Sequence, residues 1–446
     1  MRNFYLLLLA LLPVGTLGAQ SVPKVPATAA SADLDSLLEI LETTHYDPYI
    51  YADSVALGAK LRAIQIAYGG DDSVAVSRLA RDAMSLLAQL EDAHTSLAWW
   101  SGPLRKQAGG TPFFPLQLRL TPEGRLVDVA SGKELVTIAG HSVTVLYQEA
   151  LAHLGGNLPH RRTMTTSFFF AGYLWLRDLR PPFTIVYWDG NVDTLATGIG
   201  LKALFDRLRP AGDDYTFSVM PGPTGYLNYV SCNDAESFAT FLEKTFQQIE
   251  QEQIEHLIID VRNNTGGNSG LNDLLLPYLT QKPYRQSSGR FWRVSQRMKE
   301  QMRAHSEYEE AFGKAFMTSY YAAANGSEIK EEDYPTNLPA TPEYSFRGKS
   351  CMLIGPKTFS SANFLADAVA TYDIMPLIGQ PTGELTNDFG EQVSVVLPHS
   401  GLSMTVATTF DIGADGDKNR HDVVHPDLTV KGDALEYALR WMWEED

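Results

Sequence analysis

Apolar positions along the chain change period several times, and the changes mark its parts. Leu34, Leu37, Leu38 and Leu41 recur at the i, i+3, i+4, i+7 spacing of one helix face. Val76, Leu79, Ala80, Ala83, Leu86, Leu87 and Leu90 form a longer stripe of the same kind. Residues 31–100 thus read as a small helical domain whose last helix delivers Glu91-Asp-Ala-His-Thr just past its end. Over residues 101–205 the pattern shortens to β-like runs such as Phe114-Pro-Leu-Gln-Leu-Arg-Leu, broken by Gly and Pro, which predicts a small β-rich module. Within it, Leu135-Val-Thr-Ile-Ala-Gly-His reads as strand, turn and helix entry. From 214 to 432 strands and helices alternate. Tyr226-Leu-Asn-Tyr-Val is a strand, residues 235–253 an amphipathic helix, and His256-Leu-Ile-Ile-Asp-Val a continuous apolar run of the kind buried on both faces. Two more such runs are Cys351–Gly355 and Met375–Gly379. This alternation predicts an α/β layered domain, with a polar, charge-rich helical insertion at 284–347 that covers a site or stands away from the core.

Composition narrows the setting. The chain has 446 residues, too many for one core, and is 44% hydrophobic and 20% charged, the balance of a folded protein. Its formal charge of −17 argues against a nucleic-acid partner, because an acidic surface repels phosphate. Arg2, the apolar stretch Leu6–Leu12 and the small pair Gly18-Ala19 predict a signal peptide over 1–19, and with it a periplasmic or extracellular location. No stretch reaches the length of a membrane span. Cys232 and Cys351 are free to pair in an oxidising compartment, though spacing alone does not bring them together. Neither belongs to a zinc-binding pattern, so no metal or other cofactor is expected.

Three stretches can carry chemistry. Asp260-Val-Arg-Asn-Asn-Thr-Gly-Gly-Asn follows a buried strand, and its glycines allow backbone N–H groups to approach a ligand; a plain strand-ending turn is the blander reading. In Lys357-Thr-Phe-Ser-Ser-Ala-Asn-Phe a buried strand leads through a short loop into a helix. A serine there meets the positive end of the helix dipole, although a simple N-cap has the same local sequence. His94, in Leu90-Glu-Asp-Ala-His-Thr-Ser, follows a well-defined helix end; a lone histidine there is usually structural or exposed, but it is the candidate for the base that a serine nucleophile needs.

Taken together these stretches resemble the tail-specific, or carboxyl-terminal-processing, serine protease family. Asp260 to Gly267 is similar to its "D-x-R-x-N-x-G-G" signature, and Thr358-Phe-Ser-Ser-Ala-Asn to its nucleophile segment. Leu377-Ile-Gly-Gln-Pro-Thr-Gly resembles "I-G-x-x-T-G", and Val424-His-Pro-Asp the closing "V-x-P-D". Asp92-Ala-His-Thr resembles the "D-G-H-T" of the tricorn-like branch. The resemblance implies a crotonase/ClpP-like α/β core, a PDZ-like middle module and a serine endopeptidase acting on polypeptides. It implies Ser360 as nucleophile, with amides near Gly266 or Gly267 and that of Ser361 as the oxyanion hole. The lysine that many members carry after "I-G-x-x-T" falls on Leu385, so the tricorn-like arrangement with His94 as base is expected instead. Its acidic orienter falls on Arg420, with Asp422 and Asp417 as nearby substitutes, and Asp422 is taken as the third catalytic residue. The competing expectation is a non-catalytic peptide or lipid binder on the same fold.

Overall fold

The computed structural model describes residues 22–207 and 212–443. The expected signal segment lies outside the described residues. The central layer is a six-stranded sheet, ordered Tyr215–Met220, Thr224–Tyr229, His256–Asp260, Lys349–Ile354, Leu377–Gly379 and Leu428–Thr429. The first pair is antiparallel and every later neighbour parallel. Continuous apolar runs form the middle strands because helices cover both faces. Leu257, Ile259, Met352 and Ile354 pack against the helices Ala235–Gln251, Gly270–Leu279 and Ser361–Thr371. Ile258, Cys351 and Leu353 point the other way, onto Ala434–Trp441. Each such side chain, fully buried, contributes about 1.5–3 kcal/mol.

A second sheet is antiparallel throughout: Glu328–Glu331, Gly289–Arg293, Ser403–Ile412 and Asp388–Val396. Residues 284–347 therefore hold the helices Gln296–Ala304 and Glu307–Ala322 together with two strands that extend this sheet. The short strand Ser96–Ala98 joins the same sheet against Ser403–Thr405, which stitches the end of the N-terminal helices to the rest of the chain.

Those helices are Ala27–Thr44, Ser54–Tyr68 and Val76–Leu87. The stripe from Val76 to Leu90 is buried along its whole length, as its period requires. In the middle segment a four-stranded sheet, ordered His141–Ser142, Leu135–Ile138, Phe183–Tyr187 and Val192–Leu195, sits beside a two-stranded one. It also contains the 18-residue helix Pro159–Leu176, which the β-rich reading left out. Its second half, Phe168-Phe-Phe-Ala-Gly-Tyr-Leu-Trp-Leu, is apolar on every side because it is buried on every side, so it shows no 3.6-residue period. No helix among the described residues is long and apolar enough to cross a membrane.

Candidate active site

Ser360 lies between the strand Lys349–Ile354 and the helix Ser361–Thr371, partly exposed, with φ 55° and ψ −126°. Residues with a Cβ rarely adopt this conformation, which costs on the order of 1–3 kcal/mol and persists only where the surroundings impose it. Here they do. The Phe359 N–H donates to Asn264 O at 3.2 Å, and the Phe364 N–H to Ser360 O at 3.0 Å. Thr358 Oγ1 donates to Val261 O at 2.9 Å, and Thr358 O accepts from the Gly383 N–H at 3.0 Å. The Ser360 N–H itself donates to Glu384 Oε2. The result is a sharp strand-to-helix turn with the serine at its apex.

The glycine loop fits under this turn. Gly266 has φ 98°, and a Cβ there would stand 2.7 Å from Ser360 Cβ and 3.0 Å from Ser361 N. Gly267 has φ 136°; its carbonyl accepts from Ser361 Oγ at 2.7 Å. The Gly266 N–H is engaged by Asn264 Oδ1 at 2.9 Å. Among the described residues the amides of Gly267 and Ser361 have no such acceptor.

His94 arrives on a backbone pinned at every step. Glu91, left-handed at φ 55°, ends the preceding helical turn. Asp92 is fully buried; its Oδ1 accepts from the His94 N–H at 2.6 Å and its Oδ2 lies 3.0 Å from His45 Nε2. Burial pushes the Asp92 carboxyl up, but His45 and His94 outweigh it and hold the group below the usual carboxylate range. Thr95 Oγ1 accepts from the Ala407 N–H at 3.0 Å, and His94 O accepts from Gln392 Nε2. The imidazole alone is left free. It is buried, stacks on Phe359 with centroids 4.7 Å apart, and has no hydrogen-bond partner on either ring nitrogen among the described residues. Glu384 Oε1 lies 3.5 Å from its Nδ1, close enough for an ion pair but outside hydrogen-bond geometry.

The second partner of the Phe359 ring is Arg161, whose guanidinium carbon stands 3.5 Å from the ring centroid and whose Nη1 is buried without a hydrogen-bond partner among the described residues. Arg161 comes from the helix Pro159–Leu176, in the segment where the sequence offered no chemistry. Its neighbour His160 reaches the same loop, with Nε2 2.8 Å from Thr382 O. Burial, then nearby Asp388, push the Glu384 carboxyl well above the usual range, against the pull of the Ser360 amide and Arg161. Burial also pushes Asp388 up to about 8, and Arg161 down to about 10. His94 is pushed down by burial and by Arg161, partly offset by Asp92 and Asp411.

Of the residues expected from sequence, Ser360, Ser361, Gly266 and Gly267 are in mutual contact, and His94 joins them through Phe359 and Glu384. Asp422 does not. Its side chain is 58% exposed and 3.0 Å from His425 Nε2. Arg420 is paired with Asp367 and Asp415 at 3.0 and 2.9 Å. The carboxylate beside His94 is Glu384, which directly follows the Pro381-Thr-Gly motif, one residue before the position where the resemblance implies a lysine. Leu385 is buried, and Lys357 Nζ is 3.3 Å from Asn263 Oδ1 and 4.7 Å from the centroid of the Phe168 ring. Both cysteines are free thiols in buried positions. Among the described residues no three His, Cys, Asp or Glu side chains cluster as metal ligands.

The chain has known counterparts at the level of sequence family and of fold. Residues 223–430 match the family model described as Peptidase family S41, so this segment of the chain is similar to that serine peptidase family. The overall fold is similar to that of mature CPAF complexed with lactacystin, at TM-score 0.60 and 17% identity over 93% of this chain and 98% of that one. A mutant of CPAF matches at TM-score 0.62 and 15% identity over 94% and 95%. The photosystem II D1 C-terminal processing protease aligns over 93% and 97% at 14% identity, with a TM-score of 0.44. No curated protein sequence gives a match.

Proposed function

We propose that the chain is an exported serine endopeptidase in which Ser360, His94 and Glu384 form the catalytic triad. The observation that carries this reading is Glu384. One of its oxygens accepts the Ser360 N–H while the other faces His94 Nδ1 at 3.5 Å, so a single buried carboxylate ties the nucleophile turn to the imidazole. His94 Nε2 takes the proton from Ser360 Oγ as Oγ bonds to the peptide carbonyl carbon. The Gly267 and Ser361 amides receive the oxyanion, and Arg161 favours the ionised form of Glu384. The carbon–nitrogen bond then breaks with the proton passing from His94 to the leaving amine, and water repeats the sequence to release the acid. The His94–Glu384 separation shortens as substrate excludes water and the imidazolium forms.

Within this reading residues 31–100 are the N-terminal helical domain, 101–205 a PDZ-like module and 214–432 a crotonase-like catalytic domain, as the motif order suggests. The signal segment directs it to the periplasm or beyond. Its branch is the tricorn-like one, with Asp92 as a loop-holding residue and Glu384 replacing Asp422 as orienter. A fluorophosphonate probe tests the centre. The wild type is labelled and hydrolyses unfolded polypeptides. Ser360→Ala and His94→Ala lose both activities, Glu384→Gln lowers kcat by about 10³–10⁴-fold, and Asp422→Asn and Lys357→Met stay within about twofold. A folded wild type that neither labels nor cleaves favours the non-catalytic binder instead.

A further inference from the structure

A cavity of about 510 Å³ opens beside the His94 loop, within the roughly 300–1,000 Å³ range of small-ligand sites. Three parts of the chain enclose it: the helix Val76–Leu87, the helix Pro159–Leu176 and the strand pair Ser96–Ala98 with Ser403–Thr405. Its walls are aromatic, from Trp99, Trp100, Phe168, Phe169 and Phe205. Trp99 and Trp100 meet edge to face at 5.4 Å, and Phe205 packs on Trp100 at 5.0 Å, so the walls are braced by each other. Protein interiors close voids of this size, and an apolar hollow kept open by mutually supporting rings is shaped for an apolar guest.

Position identifies the guest. Asp92, Ala93, Thr95 and Ser96, which flank His94 on both sides, line the cavity. Arg161 lines it too and lies over Phe359, the residue before Ser360. Phe168 touches the Lys357 ammonium three residues before the serine. The hollow therefore adjoins both ends of the catalytic arrangement. The strand Ser96–Ala98 pairs only with Ser403–Thr405 among the described residues, and such an edge is where an extended peptide lies down.

We propose that this cavity is the primary specificity pocket and takes a large apolar side chain, aromatic in preference, from the polypeptide residue next to the scissile bond. The proposal rests on the reading of Ser360 and His94 as catalytic. The test uses a panel of quenched peptides differing at one position in turn around the cleavage point. Phenylalanine at the pocket position is expected to raise kcat/KM about 100-fold over alanine. Thr165→Trp, which fills the cavity from the helix Pro159–Leu176, is expected to lower turnover of the phenylalanine peptide at least about tenfold while the alanine peptide changes less than about twofold. Turnover without side-chain preference overturns the pocket and leaves the catalytic reading intact. Absence of all turnover and labelling overturns the catalytic reading, and binding then decides the pocket. On the Ser360→Ala protein a fluorescein-labelled phenylalanine peptide should bind at least about tenfold more tightly than its alanine twin, and Thr165→Trp should remove the difference. If dodecanoate binds there with the same sensitivity to Thr165→Trp and the peptide does not, the cavity is an acyl-chain site and the proposal is wrong.

Discussion

At the scale of single residues the site depends on how few charges balance many buried acids. Glu384 and Asp388 are both held above their ordinary range by burial, and Arg161 is the guanidinium that opposes this for both. The same cation disfavours the imidazolium of His94. Replacing it acts twice in one direction: Arg161→Gln lets His94 keep its proton to higher pH and makes Glu384 harder to ionise. The acid limb of the kcat/KM profile should therefore move up in pH, with a larger loss at pH 6 than at pH 8, and Arg161→Lys should restore part of it. A pH–rate profile that drops uniformly would show that Arg161 acts only through packing. Glu384 follows Thr382-Gly directly, but the motif there implies a lysine at the next position and gives no sign that an acid turns inward. Arg161 had no signal at all, since nothing local distinguishes a charged residue at the start of one helix from another.

At the scale of elements, two turns decide the chemistry. The strand that ends at Asp260 and the strand that ends at Ile354 are adjacent and parallel, so the loops that follow them emerge at the same edge of the sheet. One loop carries Gly266 and Gly267, the other Ser360, and they interlock with no room for a side chain at Gly266. Gly266→Ala should therefore push the serine turn out of place, adding a left-handed alanine to a direct clash. The expected outcome is a loss of kcat of at least about 10²-fold together with a lowered Tm, while a nearby exposed glycine such as Gly270→Ala leaves kcat within about twofold. The glycine pair and the serine were both readable as motifs. Their interlock was not, because it depends on strand order, and strand order is not written in local sequence.

At the scale of the molecule the site is assembled from all three parts of the chain. The N-terminal helices bring His94, the middle segment Arg161, and the α/β part Ser360, the glycine loop and Glu384. The buried acids gathered there should also govern stability. Burial, then nearby Asp92, pushes the Asp388 carboxyl up to about 8 against about 3.9 in an unfolded chain, so the folded state holds the extra proton between those values. Stability is then fullest below about pH 4 as far as this group is concerned, and is lost as pH rises toward 8; Glu384 acts in the same direction. Asp388→Asn should flatten the decline, which urea midpoints at pH 5 and pH 8 would measure. Equal declines in both proteins would remove Asp388 from the account.

Periodicity and local motifs by themselves pointed to the helical stripe from Val76 to Leu90, the buried runs at 256–261 and 351–355, the serine turn and the double-glycine loop, because each is set by neighbours close in sequence. His94 stood out in the sequence by its place after a helix end, in the four-residue stretch Asp92-Ala-His-Thr. Tertiary structure decided which acid lies beside its ring. Asp422 is near the expected place in sequence yet faces solvent, whereas Glu384 is carried inward by a loop held between Thr358 and His160. It also decided that the middle segment reaches the site at all, since the second half of the helix bearing Arg161 is buried nearly all round and so hides the helix's period. Partners at the ring of Phe359 come from residues 94 and 161, more than 190 positions before it, and only packing brings them there.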